Sequence, residues 1–327
     1  MPRVVVLATG GTIAGRAASS LNLSGYQAGA VAGSELVDAV PELRELARIR
    51  VEQFGNVAST NLTVGMWRTL ADRIDAIFAT EPDVAGVVIT HGTSTIEETA
   101  YFLHLTVRHE RPVVLVGSMR PSSALSADGP LNLVNAVRVA TCAQSRGRGA
   151  LVVLNDEING AREATKSNTY RVETFRSGEL GFLGYIDDDK VAYYRRPEKR
   201  HTVDSEFDLA AIADLPKVEI LYGYVDAATP LLVAALRQAG VRGIVFAALG
   251  AGMLSDNEKA AVKASPDMVF VRSTRVANGR VIAHGPHDDL GLIPADNLSP
   301  QKARILLMLA LARSAEASEL RRVFAEY

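Results

Sequence analysis

Hydroxyl side chains gather in two short segments of this chain, each directly after an apolar run. In "LATGGTIAG", residues 7–15, two threonines flank a pair of glycines. In "ITHGTSTIEETA", residues 89–100, four hydroxyl residues surround His91 and one glycine before the first carboxylate, Glu97. A hydroxyl attacks a carbonyl carbon only when a neighbouring base takes its proton, so both segments are candidates for nucleophilic catalysis. Taken alone, a glycine turn with two threonines is more often structural than catalytic.

A nucleotide-binding loop is the main alternative for residues 7–15, because two glycines after a strand let the backbone turn tightly and approach a ligand. However, the segment contains no Gly-Lys-Ser/Thr, and Gly10, Gly11 and Gly15 do not fit the G-x-G-x-x-G spacing. These departures argue against a nucleotide.

The elements that must position these segments are strands alternating with helices. The alternation indicates an α/β fold, with a doubly wound, mainly parallel sheet that has helices on both faces. Ligands of such sheets bind beyond the carboxyl ends of the strands, where both hydroxyl-rich segments are expected to lie. Strands are predicted over residues 3–10, 48–54, 84–90, 111–117 and 149–156, and helices over residues 34–47, 63–79, 95–107 and 129–145.

The chain is predicted to contain two domains. Residues 1–187 form the larger N-terminal α/β domain, which carries both hydroxyl-rich segments. Residues 188–215 are charged and contain prolines, and we interpret them as a linker. The alternation then resumes, which predicts a smaller C-terminal α/β domain over residues 216–327.

Composition excludes several classes of function. The 327 residues are 48% hydrophobic, and 35 basic residues stand against 37 acidic ones, so no positive field for nucleic acid or an acidic membrane is evident. The single cysteine, Cys142, excludes an internal disulfide and argues against a cysteine-rich metal site. We recognise neither a membrane span nor a signal peptide, so we expect a cytoplasmic protein that acts on a small molecule.

Five motifs occur in an order and at spacings that resemble the bacterial asparaginase and glutaminase family. The resemblance covers nearly the whole chain, including "LPKVEILYGY" and the closing "SPQKARILLMLALA". It implies a two-domain α/β amidohydrolase that uses a threonine nucleophile on a small amide, without a metal or other cofactor. It also implies a homo-oligomer, a dimer of dimers, with each active site shared between subunits. The motifs are "TGGTIA", "HGT", "SMRP", "SADGP" and "ATKSNTYRVETF".

Carried over position by position, the resemblance implies four catalytic residues. Thr12 corresponds to the nucleophile, and Tyr26 to a lid residue that helps to activate it. Thr93 and Lys166 correspond to a hydroxyl and amine pair that moves protons. The chemistry fits, since a lysine can act as a base when its pKa is lowered. Backbone N–H groups of a glycine-bearing loop at a helix start can also bind the oxyanion.

The resemblance also implies three substrate-binding positions. Ser59 corresponds to the residue that holds the substrate's α-carboxylate, and Thr60 follows it. Ser94 occupies the position at which the family, with His-Gly-Thr-Asp-Thr, has an aspartate that binds the substrate's α-ammonium. Without the resemblance, Tyr26 would be interpreted as a surface aromatic, Ser59 as a turn residue and Lys166 as a solvated charge.

The second domain departs from the family in the same direction. The family commonly has an asparagine near Ala251 and Met253, and a glutamate where Gly285 or Pro286 stands here. Both of these family residues hold the α-ammonium in the neighbouring subunit's site. We therefore expect a substrate whose α-amino group is absent or blocked. The alternative is a homologue that has lost catalysis and acts as a binding or structural protein, and an engineered change at Ser94 would leave the second domain unexplained.

Histidines provide one further candidate site. "HGPHDD" contains His284, His287, Asp288 and Asp289, but a loop with glycine and proline is a poor scaffold for a metal, so no metal is expected. His287 is predicted instead to reach the neighbouring subunit's pocket. His91 is predicted to donate a hydrogen bond that stabilises its loop, and not to act as a general base.

Overall fold

The computed structural model describes residues 1–188, 190–283 and 285–327. These residues form two compact units, residues 1–205 and residues 206–327. No helix among them is long and apolar enough to span a membrane.

The first unit is built around an eight-stranded sheet and a separate two-stranded hairpin. Its strands are β1 (Arg3–Gly10), β2 (Arg48–Val57), β3 (Val84–Thr90), β4 (Val113–Val116), β5 (Ala150–Leu154), β6 (Glu157–Gly160), β7 (Thr165–Lys166), β8 (Phe175–Arg176), β9 (Gly184–Ile186) and β10 (Val191–Tyr193). Its α-helices are α1 (Gly33–Asp38), α2 (Leu43–Leu46), α3 (Val64–Thr80), α4 (Ile96–Thr106) and α5 (Gly129–Thr141).

Sheet order explains the predicted alternation. The strands run β10-β9-β6-β5-β4-β3-β1-β2, and the pairs from β2 to β5 are parallel. All five strands predicted for this domain are present, which confirms the α/β class. The antiparallel extension by β6, β9 and β10 was not predicted, because these strands of three or four residues lack a long β-branched run.

The core of the first unit lies on both faces of the sheet. Val4, Val5, Val6 and Leu7 of β1 are each completely buried. On one face, α1, α2 and α5 pack in a single apolar cluster with alternate residues of β1 and its neighbours. The helix α3 packs against β3, and the helix α4 packs against β5. A strand covered on both faces reads as a continuous apolar run, as β1 does.

One predicted helix is interrupted. Residues 34–47, predicted as a single helix, form α1 and α2 with a break around Pro41. Proline has no N–H to donate and its ring obstructs the preceding turn, so a helix seldom continues through it.

The second unit has a four-stranded parallel sheet in the order β11-β12-β13-β14. Its helix α9 packs against β11, β12 and β13. The strands are β11 (Val218–Tyr222), β12 (Gly243–Ala248), β13 (Val269–Thr274) and β14 (Ile293–Pro294). The helices are α6 (Thr229–Gln238), α7 (Asp256–Lys263), α8 (Gly285–Asp288), α9 (Pro300–Leu311) and α10 (Ala317–Glu326).

The segment interpreted as a linker has local structure of its own. Val191–Tyr193 forms the outer strand β10 of the large sheet. Two short 3₁₀ helices follow, Thr202–Asp204 and Leu209–Ala211, and the division between the units falls after Ser205.

Candidate active site

The two hydroxyl-rich segments meet because β1 and β3 are parallel neighbours that end at the same edge of the sheet. Thr9 Oγ1 donates a hydrogen bond to the Thr90 carbonyl at 2.8 Å, which joins the two strand ends. Beyond them, Gly11 has φ of +84°, and a Cβ built there would lie 2.3 Å from the Gly92 nitrogen. Only glycine fits at position 11, and its lack of a side chain lets the two loops approach each other this closely.

A third loop, which follows β2, closes against the other two. Ser59 is 6% exposed, and a Cβ at Gly92 would lie 2.6 Å from its Oγ. Thr95 Oγ1 donates to the Ser59 carbonyl at 2.9 Å, a contact that sequence reasoning missed. The predicted carboxylate-binding serine therefore lies next to the glycine loop.

Thr12 and Tyr26 form the first hydrogen-bonded pair among the predicted catalytic residues. Their hydroxyl oxygens are 2.7 Å apart, and either can donate. Thr12 is buried in the short 3₁₀ helix Thr12–Ala14, which follows directly on the glycine turn, whereas Tyr26 is half-buried at the end of a largely exposed loop. The structure thus joins two residues that are 14 positions apart in the chain.

Lys166 and Thr93 form the second pair. Lys166 Nζ donates to Thr93 Oγ1 at 2.8 Å, and Thr93 is 5% exposed. The lysine lies on β7, which pairs with β8 so that Lys166 stands opposite Phe175. Burial lowers the pKa of Lys166 from 10.5, and the carboxylate of Glu97 opposes this effect by raising it. The net lowering favours the neutral amine that proton transfer requires.

His91 stabilises the loop and has the hydrogen bonds predicted for it. Its Nδ1 lies 2.8 Å from the Gly92 carbonyl, which can only accept, so Nδ1 carries the hydrogen. Its Nε2 accepts from Thr99 Oγ1 at 2.9 Å, and Trp67 Nε1 donates to the same hydroxyl at 2.8 Å. Burial lowers the pKa of His91 to about 4, so the ring is neutral near pH 7.

The two remaining substrate-binding candidates lie on the protein surface. Thr60 and Ser94 are both exposed. Across the described residues, neither side chain hydrogen-bonds to Thr12, Tyr26 or Lys166. Ser94 lies in the loop that leads into α4, and the positive N-terminal end of that helix favours an anionic group nearby.

Asp128 holds a further loop near these residues and was not predicted. Its carboxylate accepts from the backbone N–H groups of Met119 at 2.8 Å and Arg120 at 2.9 Å. The motifs "SMRP" and "SADGP" supported the family resemblance but carried no indication that one motif binds the other. The loop that Asp128 holds also contacts the segment that carries Tyr26.

In the second unit, the prediction for His287 is wrong. Its ring is 1% exposed, and its Nε2 accepts from the Leu254 N–H at 3.4 Å, so it packs inside its own unit. Met253, by contrast, is 43% exposed. His284 lies outside the described residues, as do the side chains of Pro286 and Asp288.

The hydroxyl and amine side chains gather at the carboxyl edge of a parallel sheet, which is where α/β folds bind their ligands, and such side chains can serve as nucleophile and base in an enzyme. Residues 3–199 match the family model described as asparaginase, N-terminal, and residues 217–324 match the glutaminase/asparaginase C-terminal domain. The chain belongs to the asparaginase family of amidohydrolases, which confirms the resemblance and the two-domain fold predicted for it.

Known relatives match over the whole chain. L-asparaginase 2 of Bacillus subtilis (strain 168) is 47% identical over 329 residues, which cover 100% of this chain and 87% of the relative. Glutaminase-asparaginase of Pseudomonas fluorescens biotype A is 45% identical over 332 residues, covering 100% and 91%. The crystal structure of a probable cytoplasmic L-asparaginase from Campylobacter jejuni matches with a TM-score of 0.97 and 43% identity, covering 100% of both chains.

Proposed function

We propose that this protein hydrolyses a small carboxamide to a carboxylate and ammonia, with Thr12 as the nucleophile. The observation that carries the proposal is the pairing of Thr12 with Tyr26 at 2.7 Å, in a buried turn beside the glycine loop of Thr93. A threonine hydroxyl that is hydrogen-bonded to a neighbouring acceptor can lose its proton as it attacks. A threonine that contacts only water is a poor nucleophile, because no group takes its proton.

The reaction follows from the two pairs. Thr12 Oγ1 bonds to the amide carbon, and Tyr26 accepts its hydrogen bond during the attack. The neutral amine of Lys166, in contact with Thr93, takes up the proton that Thr12 loses. It then delivers this proton to the amide nitrogen, and the carbon–nitrogen bond breaks so that ammonia leaves. Water then attacks the resulting ester, releases the carboxylate and restores the Thr12 hydroxyl. Backbone N–H groups of the loop before α4 bind the oxyanion that forms in both steps.

The substrate that we propose lacks a free α-amino group or has it blocked, as in a succinamate-like or N-acylated amide. Ser94 offers no negative charge where the family has an aspartate, and Met253 offers no polar group where the family has an asparagine nearby. Losing an ion pair to an ammonium group costs about 2–5 kcal/mol in binding, much of it from desolvating the unpaired charge. Free asparagine is therefore expected to react poorly.

Assembly and location complete the proposal. We propose a homo-oligomer, a dimer of dimers, that works in the cytoplasm without a cofactor, a nucleic-acid partner or a membrane. The Campylobacter jejuni structure, described as a probable cytoplasmic L-asparaginase, supports this location. A Haemophilus influenzae relative, 45% identical, is a probable periplasmic L-asparaginase, so family membership alone does not decide the compartment.

The test is ammonia release by the variant Thr12→Ala. We expect a loss of at least about 100-fold in kcat on the best amide of a panel, because no other group replaces the nucleophile. Thr12→Ser keeps the hydroxyl and is the matched control, with activity well above that of the alanine variant. Undiminished ammonia release by Thr12→Ala would contradict the assignment. If the wild type binds an amide of the panel but hydrolyses none, the alternative of a non-catalytic binding homologue replaces this proposal.

A further inference from the structure

The loop that carries Tyr26 is closed at its base. Arg16 and Gln27 exchange backbone hydrogen bonds of 3.1 and 3.0 Å, so the residues between them form an exposed excursion that begins next to Thr12. Within the excursion, Asn22 accepts from the Gly25 N–H at 2.7 Å, which is a local contact. Tyr26 lies at the end of the excursion, next to Gln27 of the base.

A second loop, residues 118–126, contacts the first side of this excursion. Ser122 donates to the Gly15 carbonyl through both its backbone N–H, at 2.9 Å, and its Oγ, at 2.8 Å. The Ala17 N–H donates to Ser123 Oγ at 2.8 Å. The hydrogen bonds of Ser122 and Ser123 thus flank Arg16, the residue at which the excursion begins.

The 118–126 loop is itself firmly held. The Asp128 carboxylate accepts the two backbone N–H groups at the start of the loop, as described above, and Asp128 immediately precedes α5. Asn132, one turn into α5, donates through Nδ2 to the Gly117 carbonyl at 3.0 Å. The loop is therefore fixed to the end of β4 and the start of α5, and can serve as a rigid support.

We infer that Ser122 and Ser123 are positioning residues that hold the Tyr26 loop closed, so that the Tyr26 hydroxyl stays in hydrogen-bond contact with Thr12. The inference rests on the proposed function in one respect, because it takes the hydrogen bond between Thr12 and Tyr26 to be the one that activates the nucleophile. Neither serine contacts Thr12 or Tyr26 through a hydrogen bond in the described structure. Their effect passes through the backbone of Gly15 and Ala17, which flank Arg16.

The first experiment measures loop opening in the free protein. Arg16 is exposed and is the one basic residue between positions 16 and 28, so trypsin cleavage of the Arg16–Ala17 bond reports opening of the base. Ser123→Ala removes the acceptor for the Ala17 N–H, and we expect cleavage about 2- to 10-fold faster than in wild type, as loss of one hydrogen bond implies. Mass spectrometry of the released 1–16 peptide gives the rate.

Two variants serve as controls. Ser123→Thr keeps the hydroxyl and should restore the wild-type cleavage rate. Ser20→Ala removes a hydroxyl from the excursion itself but leaves intact the backbone bond in which the Leu125 N–H donates to the Ser20 carbonyl at 2.9 Å. It should cleave at the wild-type rate. Equal cleavage of Ser123→Ala and wild type would overturn the inference.

The second experiment measures catalysis on the best amide. Ser123→Ala should lower kcat about 2- to 10-fold, with rescue by Ser123→Thr, because fewer molecules have Tyr26 in contact with Thr12. Faster cleavage with unchanged kcat would overturn the positioning role. If wild type hydrolyses no amide, the proposed function fails, whereas the cleavage rates still decide whether Ser123 holds the loop.

Discussion

Lys166 Nζ lies 2.8 Å from Thr93 Oγ1, although 73 residues separate them in the chain. Burial lowers the pKa of this lysine, and Glu97 is the carboxylate that raises it. The hydrogen bond therefore links the Lys166 amine, which can become neutral, to the Thr93 hydroxyl. The loop of Thr93 also contacts the glycine turn before Thr12. The proposal that this pair moves a proton during catalysis rests on this contact.

Activity should depend on Lys166 being neutral. We expect kcat/KM to rise with pH through the lowered pKa of Lys166, since only the free amine can accept a proton. Lys166→Met should reduce kcat by about 100-fold or more and remove this rise. Lys217→Met, at an exposed lysine of the second unit, is the control and should keep the wild-type profile. An unchanged profile in Lys166→Met would show that another group titrates.

Glu97 provides a sharper form of this pH test. Its negative charge stabilises the ammonium form of Lys166, so Glu97→Gln should lower the lysine's pKa further and move the rising limb of the profile to lower pH. Measurement of kcat/KM over pH 5–10 in steps of about half a pH unit would detect the displacement. A limb that moves to higher pH would contradict the assignment of the titration to Lys166.

Ser94→Asp should restore part of the family's preference for free amino acids. A carboxylate that meets an ammonium group contributes about 1.5–3 kcal/mol, so kcat/KM for asparagine relative to succinamate should rise about 10- to 100-fold. Ser94→Asn has nearly the same size without the charge and is the matched control. If wild type already prefers asparagine or glutamine to every des-amino or N-blocked analogue, the proposed specificity is wrong.

An oligomer is expected at micromolar concentration. The expectation comes from the family resemblance, and the second unit exposes large apolar side chains that a partner chain could cover, including Val225 at 90%, Leu231 at 71% and Tyr222 at 59%. Four chains of 35.0 kDa each give about 140 kDa. Light scattering on a sizing column measures this mass, and a single species of 35.0 kDa would refute the prediction.

Glu157→Gln should stabilise the protein at alkaline pH. Burial raises the pKa of Glu157 from 4.5 to about 7, and Arg176, 3.9 Å away, offsets part of the burial effect. The folded state therefore binds the proton more tightly than the unfolded state, and Glu157 lowers stability as pH rises from 4.5 to 7.

At pH 8 the glutamine variant should have a free energy of unfolding higher by about 1–2 kcal/mol, allowing for solvent screening, and this gain should shrink toward pH 4.5. Denaturant unfolding at several pH values measures it. Glu173→Gln, also near Arg176 but with a side chain 58% exposed, is the control and should change stability by less than about 0.5 kcal/mol. A pH-independent gain in Glu157→Gln would contradict the shifted pKa.

Much of the fold could be predicted because it follows from local patterns. The strands β1, β3, β4 and β5 are β-branched apolar runs that are almost wholly buried, and such runs can be recognised from the local sequence alone. The interruption of the first helix was also readable, since Pro41 stands in the middle of the predicted span. The short strands β9 and β10 gave no such signal, because a strand of three residues depends on the partner it pairs with.

The sequence by itself determined the family and the order of the motifs, because the motifs are short and local, and the resemblance that they carry supplied the candidates Thr12, Thr93 and Lys166. Only the tertiary structure decided that Lys166 contacts Thr93 and that His287 faces inward. Lys166 lies on a two-residue strand whose placement depends on its pairing with β8, and side-chain direction depends on packing by residues distant in the chain. Contacts between such residues form only when the whole unit folds, so no local pattern encodes them.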